Sequence, residues 1–202
     1  DVDYPASRVL DGIDNARSAG FSEIKVNAVV RRGFNEHAVL DLVDHFRGTG
    51  CIVRFIEYMD VGETNGWNLD DVIPARELIS QIDAKYPVEP ISPNYQGEVA
   101  KRWRFRDDQG EIGFITSVTE SFCGDCSRAR LSAVGKIYTC LFATEGHDLR
   151  MLLRSGASDS DLLESITNIW QTRSDRYSEL RGMNAPMPDS GKVKVEMSHI
   201  GG

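Results

Sequence analysis

The chain has 202 residues, with 23 basic and 31 acidic side chains and a net charge of -8. Hydrophobic residues at 41% and charged residues at 27% are the proportions of an ordinary globular protein, enough for one large domain or two small ones. The acidic surplus excludes a general nucleic-acid footprint, which needs the opposite sign, while leaving room for a local basic cluster that holds one compact anion. No run of about 18 apolar residues is present, so no membrane span is expected. No basic leader precedes an apolar run, so a cytoplasmic location is expected.

Pro5 opens the first predicted helix, in which Val9, Ile13 and Ala16 recur near helical spacing until Gly20 stops it. Residues 24–30 read as a strand with polar positions at Lys25 and Asn27. A helix over 36–47 follows, with Asn35 as its expected cap and Val39, Leu42, Val43 and Phe46 along one side. The next strand is 51–59, then comes a loop rich in Gly, Asp and Asn, then a helix over 75–85 with Leu78 and Ile82 inward. This helix–strand rhythm predicts parallel strands with crossover helices. Two strands and three helices do not close an eight-stranded barrel, so the segment reads as the end of a larger α/β unit.

After residue 90 the rhythm changes. Residues 99–106 alternate, with Arg102, Arg104 and Arg106 on one face and Trp103 and Phe105 on the other; 107–110 is a turn and 111–118 the returning strand. Residues 119–146 are loop-rich. Ser158 and Asp161 form a candidate capping box for a helix whose stripe is Leu162, Ile166, Ile169 and Trp170. The end, 181–202, is rich in Gly, Pro and Met, and on composition alone is a loose tail.

There are four cysteines, Cys51, Cys123, Cys126 and Cys140. Cys123-Gly-Asp-Cys126 puts two thiols on one tight turn, and Cys140 arrives from a separate segment. In a chain of this size without a secretory signal, a metal site is favoured over disulfides. Thiolates are soft ligands, which leaves two options. A structural zinc needs a fourth ligand, for which Cys51 and His147 are the candidates; the plain readings are a buried small hydrophobe and a polar residue near a helix start. Alternatively, three thiolates hold a [4Fe-4S] cluster with one open iron, a docking point for a substrate. Spacing does not choose between them.

Arg128 and Arg130 closely follow the second cysteine and can present their forks to an anion there; the plain readings are solvated surface residues or neutralisation of a cluster's charge. Lys25, Asn27 and Arg54 interrupt otherwise apolar strands. Buried polar groups need partners, so these residues face the lumen of a partial barrel, form a core salt bridge with Glu57 as a candidate carboxylate, or lie on an outward-facing edge.

Five segments carry a resemblance: 24–30 (IKVNAVV), 53–59 (VRFIEYM), 122–130 (FCGDCSRAR), 135–142 (GKIYTCLF) and 197–202 (MSHIGG). Together they resemble the C-terminal part of the GTP 3',8-cyclase family of molybdenum cofactor biosynthesis, radical S-adenosylmethionine enzymes. The likeness extends over essentially the whole chain. It implies an α/β fold: the last part of an incomplete (β/α)6 TIM-like barrel in residues 1–90, then an α+β C-terminal region, 91–202, carrying a second iron–sulfur cluster. It implies that Cys123, Cys126 and Cys140 hold a [4Fe-4S] cluster whose open iron takes the guanine of GTP, and that Arg128 and Arg130 bind the triphosphate. Lys25 and Arg54, with Asn27 as a weaker match, contact GTP or S-adenosylmethionine, and Gly201 and Gly202 form a tail that enters the active site. The product implied is (8S)-3',8-cyclo-7,8-dihydroguanosine 5'-triphosphate, and the family implies a homodimer.

The chain lacks the C-x3-C-x2-C loop that in this family holds the first [4Fe-4S] cluster and S-adenosylmethionine. The radical-generating half is therefore expected outside this sequence, and the isolated chain is expected to be inactive. The rival readings are a zinc-stabilised binding module without catalysis and a peptide-modifying radical enzyme, a class that usually carries more cysteines.

Overall fold

The computed structural model describes residues 4–62, 66–183 and 192–200. The chain divides into two units, Asp1–Tyr58 with Asp70–Thr116, and Met59–Leu69 with Ser117–Gly202.

The first unit is built on the apolar runs. Strands β1 (Lys25–Val30) and β2 (Ile52–Glu57) pair in parallel, as their helix-linked order predicts, and β5 (Glu111–Ile115) adds to β2 in parallel. Strands β3 (Val88–Ile91) and β4 (Lys101–Phe105) run antiparallel beyond it, giving a mixed sheet of order β1-β2-β5-β4-β3. The sheet thus continues past residue 90, where the rhythm of the sequence changes. Asp108 at φ 59° and Gly110 at φ 105° make the turn between β4 and β5.

Helix α1 spans Ala6–Ser18, α2 Val39–Phe46 and α3 Ala75–Lys85. Positions 39, 43 and 46 of α2 and 75, 78 and 82 of α3 fall on buried stripes, and with Val53, Phe55, Ile112 and Phe114 they form the core. Phe114 and Ile82 are fully buried; each such side chain contributes about 1.5–3 kcal/mol. Helix α1 has no buried residue: Ile13 packs partly on the core, while Val9 stays 51% exposed.

Two expectations are corrected here. Asn35 does not cap the following helix. Its Oδ1 accepts from Arg31 N at 2.8 Å and its Nδ2 donates to Val29 O at 2.9 Å, because the backbone groups leaving β1 need partners first; a single 3-10 turn, Glu36–Ala38, leads into α2. Glu57 is not on the face of Arg54. Three residues along a strand reverse the face, and Glu57, 2% exposed, accepts from Ala75 N at 3.0 Å at the start of α3.

In the second unit, β6 (Arg130–Leu131), β7 (Lys136–Tyr138) and β8 (His147–Asp148) form an antiparallel sheet. Asp148 caps the short α4 (Leu149–Arg154) by accepting from Met151 N at 2.9 Å. The capping box of α5 (Asp159–Gln171) is present: Asp161 N donates to Ser158 Oγ and Ser158 N to Asp161 Oδ2. Of its expected stripe Ile169 is buried; Leu162, Ile166 and Trp170 are half-buried. Helix α6 is Tyr177–Gly182.

Residues 192–200 are docked rather than loose. Val195 N donates to Ala143 O at 3.0 Å, His199 meets the Tyr138 ring edge-on, and Ile200 is 1% exposed. Among the described residues no helix is long and apolar enough to cross a membrane. Gly201 and Gly202 lie outside the described residues.

Candidate functional site

On the first unit's sheet, Asn27 and Arg54 are register partners on adjacent strands, and Arg54 Nε donates to Asn27 Oδ1 at 2.8 Å. Lys25 lies two positions before Asn27 and shares its exposed face. Gly113 is the next register partner of Arg54 across β5. A Cβ there would stand 3.0 Å from Arg54 Cγ and 3.4 Å from Ala100 Cβ, so glycine gives the arginine stem its room. Farther along, Arg102 is occupied by a bidentate pair with Glu111 and by Ser92 O. The sheet face therefore carries a local cationic group, Lys25 and Arg54, oriented in part by Asn27.

The second unit carries the three-cysteine segment, with all three thiols half-buried. The Cys123–Cys126 turn is closed by Cys126 N donating to Cys123 O at 3.3 Å. Arg128 folds back onto this turn: its Nε and Nη2 donate to Cys126 Sγ at 3.3 and 3.2 Å, while the guanidinium lies over the Phe122 ring. Burial raises the Cys126 thiol, but the Arg128 backbone and side-chain hydrogen bonds and the charges of Arg128 and Arg173 outweigh it, leaving it below its ordinary value. Burial pushes the Cys140 thiol the other way, to about 11, against a hydrogen bond from Phe142 N. Arg130, on β6, is half-buried, and burial followed by the neighbouring Arg128 charge disfavours its cation. A half-buried guanidinium in that position gains from an anionic partner.

Two residues that the sequence reading missed brace this segment. Arg173 donates through Nη1 to Cys126 O at 2.8 Å and through Nε to Asp175 Oδ2 at 2.9 Å. Thr139, next to Cys140, donates to the same Asp175 oxygen at 2.7 Å. One ion pair thus ties the Cys123–Cys126 turn to the strand that delivers Cys140. Arg173→Met is expected to leave Tm within a few degrees but to lower metal loading at the cysteines severalfold, with Arg173→Lys recovering part of it; metal content by elemental analysis checks this. Loading that matches wild type in Arg173→Met would make the pair a plain surface bridge.

The donor chemistry suits a soft metal or an iron–sulfur cluster: three thiols, two of them accepting N–H bonds, with guanidinium charge beside them. Among the described residues no group of three or more His, Cys, Asp or Glu side chains is drawn together as a metal-binding set. Cys51 is not part of this segment: it is 6% exposed in the core of the first unit, where Arg17 Nη2 donates to its sulfur at 3.3 Å. His147 is exposed on β8.

A mixed α/β protein with a Cys-x2-Cys-Ser-Arg-x-Arg segment and a docked C-terminus is a narrow class. The chain belongs to the family described as Molybdenum Cofactor Synthesis C, whose profile matches residues 51–179. It is similar to proteins named GTP 3',8-cyclase. The one from Acidothermus cellulolyticus is 51% identical over 100% of this chain and 62% of its own length. That from Xanthomonas axonopodis pv. citri is 51% identical over 97% of this chain and 57% of its own length. That from Staphylococcus epidermidis is 45% identical over 98% and 58%. The chain therefore spans about three fifths of the length of these relatives.

Proposed function

We propose that the chain is the GTP-binding portion of a radical S-adenosylmethionine GTP 3',8-cyclase, acting in molybdenum cofactor biosynthesis. In this reading its first unit contributes the last strands of an incomplete (β/α)6 barrel, and its second unit carries an auxiliary [4Fe-4S] cluster on Cys123, Cys126 and Cys140. The observation that carries it is the three-cysteine segment, with Arg128 on the Cys126 sulfur and the half-buried Arg130 beside it. The cluster, when bound, would supply an open iron as a docking point for guanine, and S-adenosylmethionine with a second cluster would supply the radical.

The residues of this chain bind and orient. Arg130 is the better phosphate ligand of the arginine pair, since its guanidinium is half-buried near the thiols while the fork of Arg128 is engaged with Cys126. On the first unit, Lys25 and Arg54 form a cationic group of their own, in which Arg54 donates to Asn27, and the resemblance assigns that group to contact with GTP or S-adenosylmethionine. Clamping a nucleotide by its phosphates and its base leaves the ribose carbon and the base carbon that must join with little freedom, and the bimolecular search is replaced by a fixed approach. An acidic chain binds a triphosphate through such a local field.

The reading is tested on the 202-residue chain by anaerobic incubation with iron and sulfide. About four iron and four sulfide per chain are expected, with a broad visible absorbance. Stoichiometric zinc in a tetrahedral thiolate site, with no iron uptake, would replace the cyclase reading with a zinc-stabilised module. In the loaded chain, Arg130→Ala is expected to weaken GTP binding about tenfold or more, the value of one charge-assisted bond, and to leave guanosine binding nearly unchanged. Calorimetry with both ligands checks this, and an equal loss for the two would move Arg130 away from the phosphates.

A further inference from the structure

Asp60 follows β2 by three residues, and nothing in its local sequence marks it. It is 8% exposed, and its carboxylate is a shared acceptor within the second unit. Tyr177 donates its hydroxyl to Oδ2 at 2.5 Å and Arg181 pairs with Oδ1, both from α6. Lys194, from the terminal segment, donates to Oδ2 at 3.0 Å and to the Asp60 carbonyl at 2.9 Å. The two cations are held from the other side by aromatic faces: Lys194 lies 4.8 Å from the Tyr177 ring centre and Arg181 5.2 Å from that of Phe142, and these two rings stack at 4.5 Å.

We propose that Asp60 is a positioning residue whose carboxylate, held by α6, captures Lys194 and so seats residues 194–200, the stretch that precedes Gly201 and Gly202 in the sequence. Three observations fit a seat rather than a plain ion pair. Beyond Lys194 the segment is engaged at three further points: Val195 N on Ala143 O, the Glu196 carboxylate against Gly62, and the buried Ile200. Gly62 has φ +68°, and a Cβ there would collide with that carboxylate, so the backbone two residues after Asp60 is shaped to receive the segment. Finally, burying one carboxylate with two cations carries a desolvation cost that their attraction only offsets, which makes the cluster a weak source of stability and a good way to specify one arrangement.

The role in turnover rests on the reading of the terminal glycines as an active-site tail; the seat itself does not, and the test is made without turnover. Hydrogen exchange is measured on the 202-residue chain, with Lys194→Met as the main variant because it keeps the stem over the aromatic rings and leaves Asp60 paired to α6. The Val195 and Ile200 amides are expected to exchange about ten- to a hundredfold faster, the effect of losing one charge-assisted bond on a local opening. The Ser132 amide of the β6–β7 hairpin and the Leu162 amide of α5 are expected to keep wild-type rates, and Lys194→Arg to restore protection at Val195 and Ile200. Unchanged exchange at Val195 and Ile200 in Lys194→Met overturns the proposal. So does equal acceleration at Ser132 and Leu162, which would make the cluster a support of the whole unit. Either result leaves the cyclase reading standing, and a failure of that reading leaves the exchange result standing.

Discussion

Cys126→Ala is expected to abolish iron uptake by the chain, and Cys51→Ala to leave it unchanged. The two thiols differ in surroundings more than in chemistry. Cys126 closes a turn with Cys123, accepts two guanidinium hydrogen bonds from Arg128, and has its carbonyl held by Arg173. Those donors favour the deprotonated sulfur a metal requires. On the proposed ligation by three thiolates alone, losing one would leave a site that no longer holds a cluster. Cys51 packs among Val43, Phe46, Val53 and Phe105 as a small apolar side chain. Its replacement by alanine removes one sulfur from a packed core, at a cost of about 1 kcal/mol in stability and nothing in iron. Iron and sulfide analysis of the two variants, beside their melting curves, settles the comparison. Equal iron loss in both would overturn the three-ligand assignment and point to an all-cysteine site of four.

The parts of this arrangement that were legible in the sequence are the local ones. The runs at 24–30 and 51–59 announce parallel strands, and β-sheet alternation puts Lys25, Asn27 and Arg54 on one face of them. Ser158 and Asp161 stand at the spacing of a capping box and form one. The cysteine spacing, the arginines behind it and the terminal glycines carry the family likeness, which the matched profile and the cyclase relatives bear out. Where the local signal misled, a competing demand had won: Asn35 has the chemistry of a cap but serves the end of β1, and Glu57 has the chemistry of an arginine partner but sits one face away. Arg173, Asp175 and Asp60 were not legible at all. Arg173 and Asp175 pair with each other, but the groups they and Asp60 brace are 47, 36 and 134 residues distant, and no periodicity or motif connects positions that far apart. The docking of residues 192–200 was hidden for a related reason: its composition is that of a tail, and only the tertiary surroundings of Lys194 and Ile200 make it a fixed segment.

Deletion of Gly201 and Gly202 in the complete enzyme is expected to leave iron content and Tm near wild type while product formation collapses by about two orders of magnitude or more. The first half follows from what the preceding residues do. Ile200 is 1% exposed, Lys194 is bound to Asp60, and Val195 is bonded to Ala143, so the stretch that precedes the glycines is held by contacts of its own. Two residues without side chains add almost no burial to that. Ile200→Ala is the contrasting variant, since truncating a fully buried aliphatic side chain costs about 2–5 kcal/mol and lowers Tm visibly. The second half follows from the chemistry proposed for the tail. Only glycine brings backbone N–H groups up to a bound ligand through a narrow space without a Cβ to collide with its walls, and a misplaced positioning group costs about a hundredfold in rate even when binding survives. On the proposed reading, in which other residues of the enzyme start the radical, S-adenosylmethionine cleavage uncoupled from cyclisation is expected to persist. The assay is the cyclised nucleotide quantified by chromatography beside iron and 5'-deoxyadenosine. Full turnover by the truncated enzyme would reduce the glycines to an ordinary chain end. Iron lost together with turnover would assign them to the support of the fold.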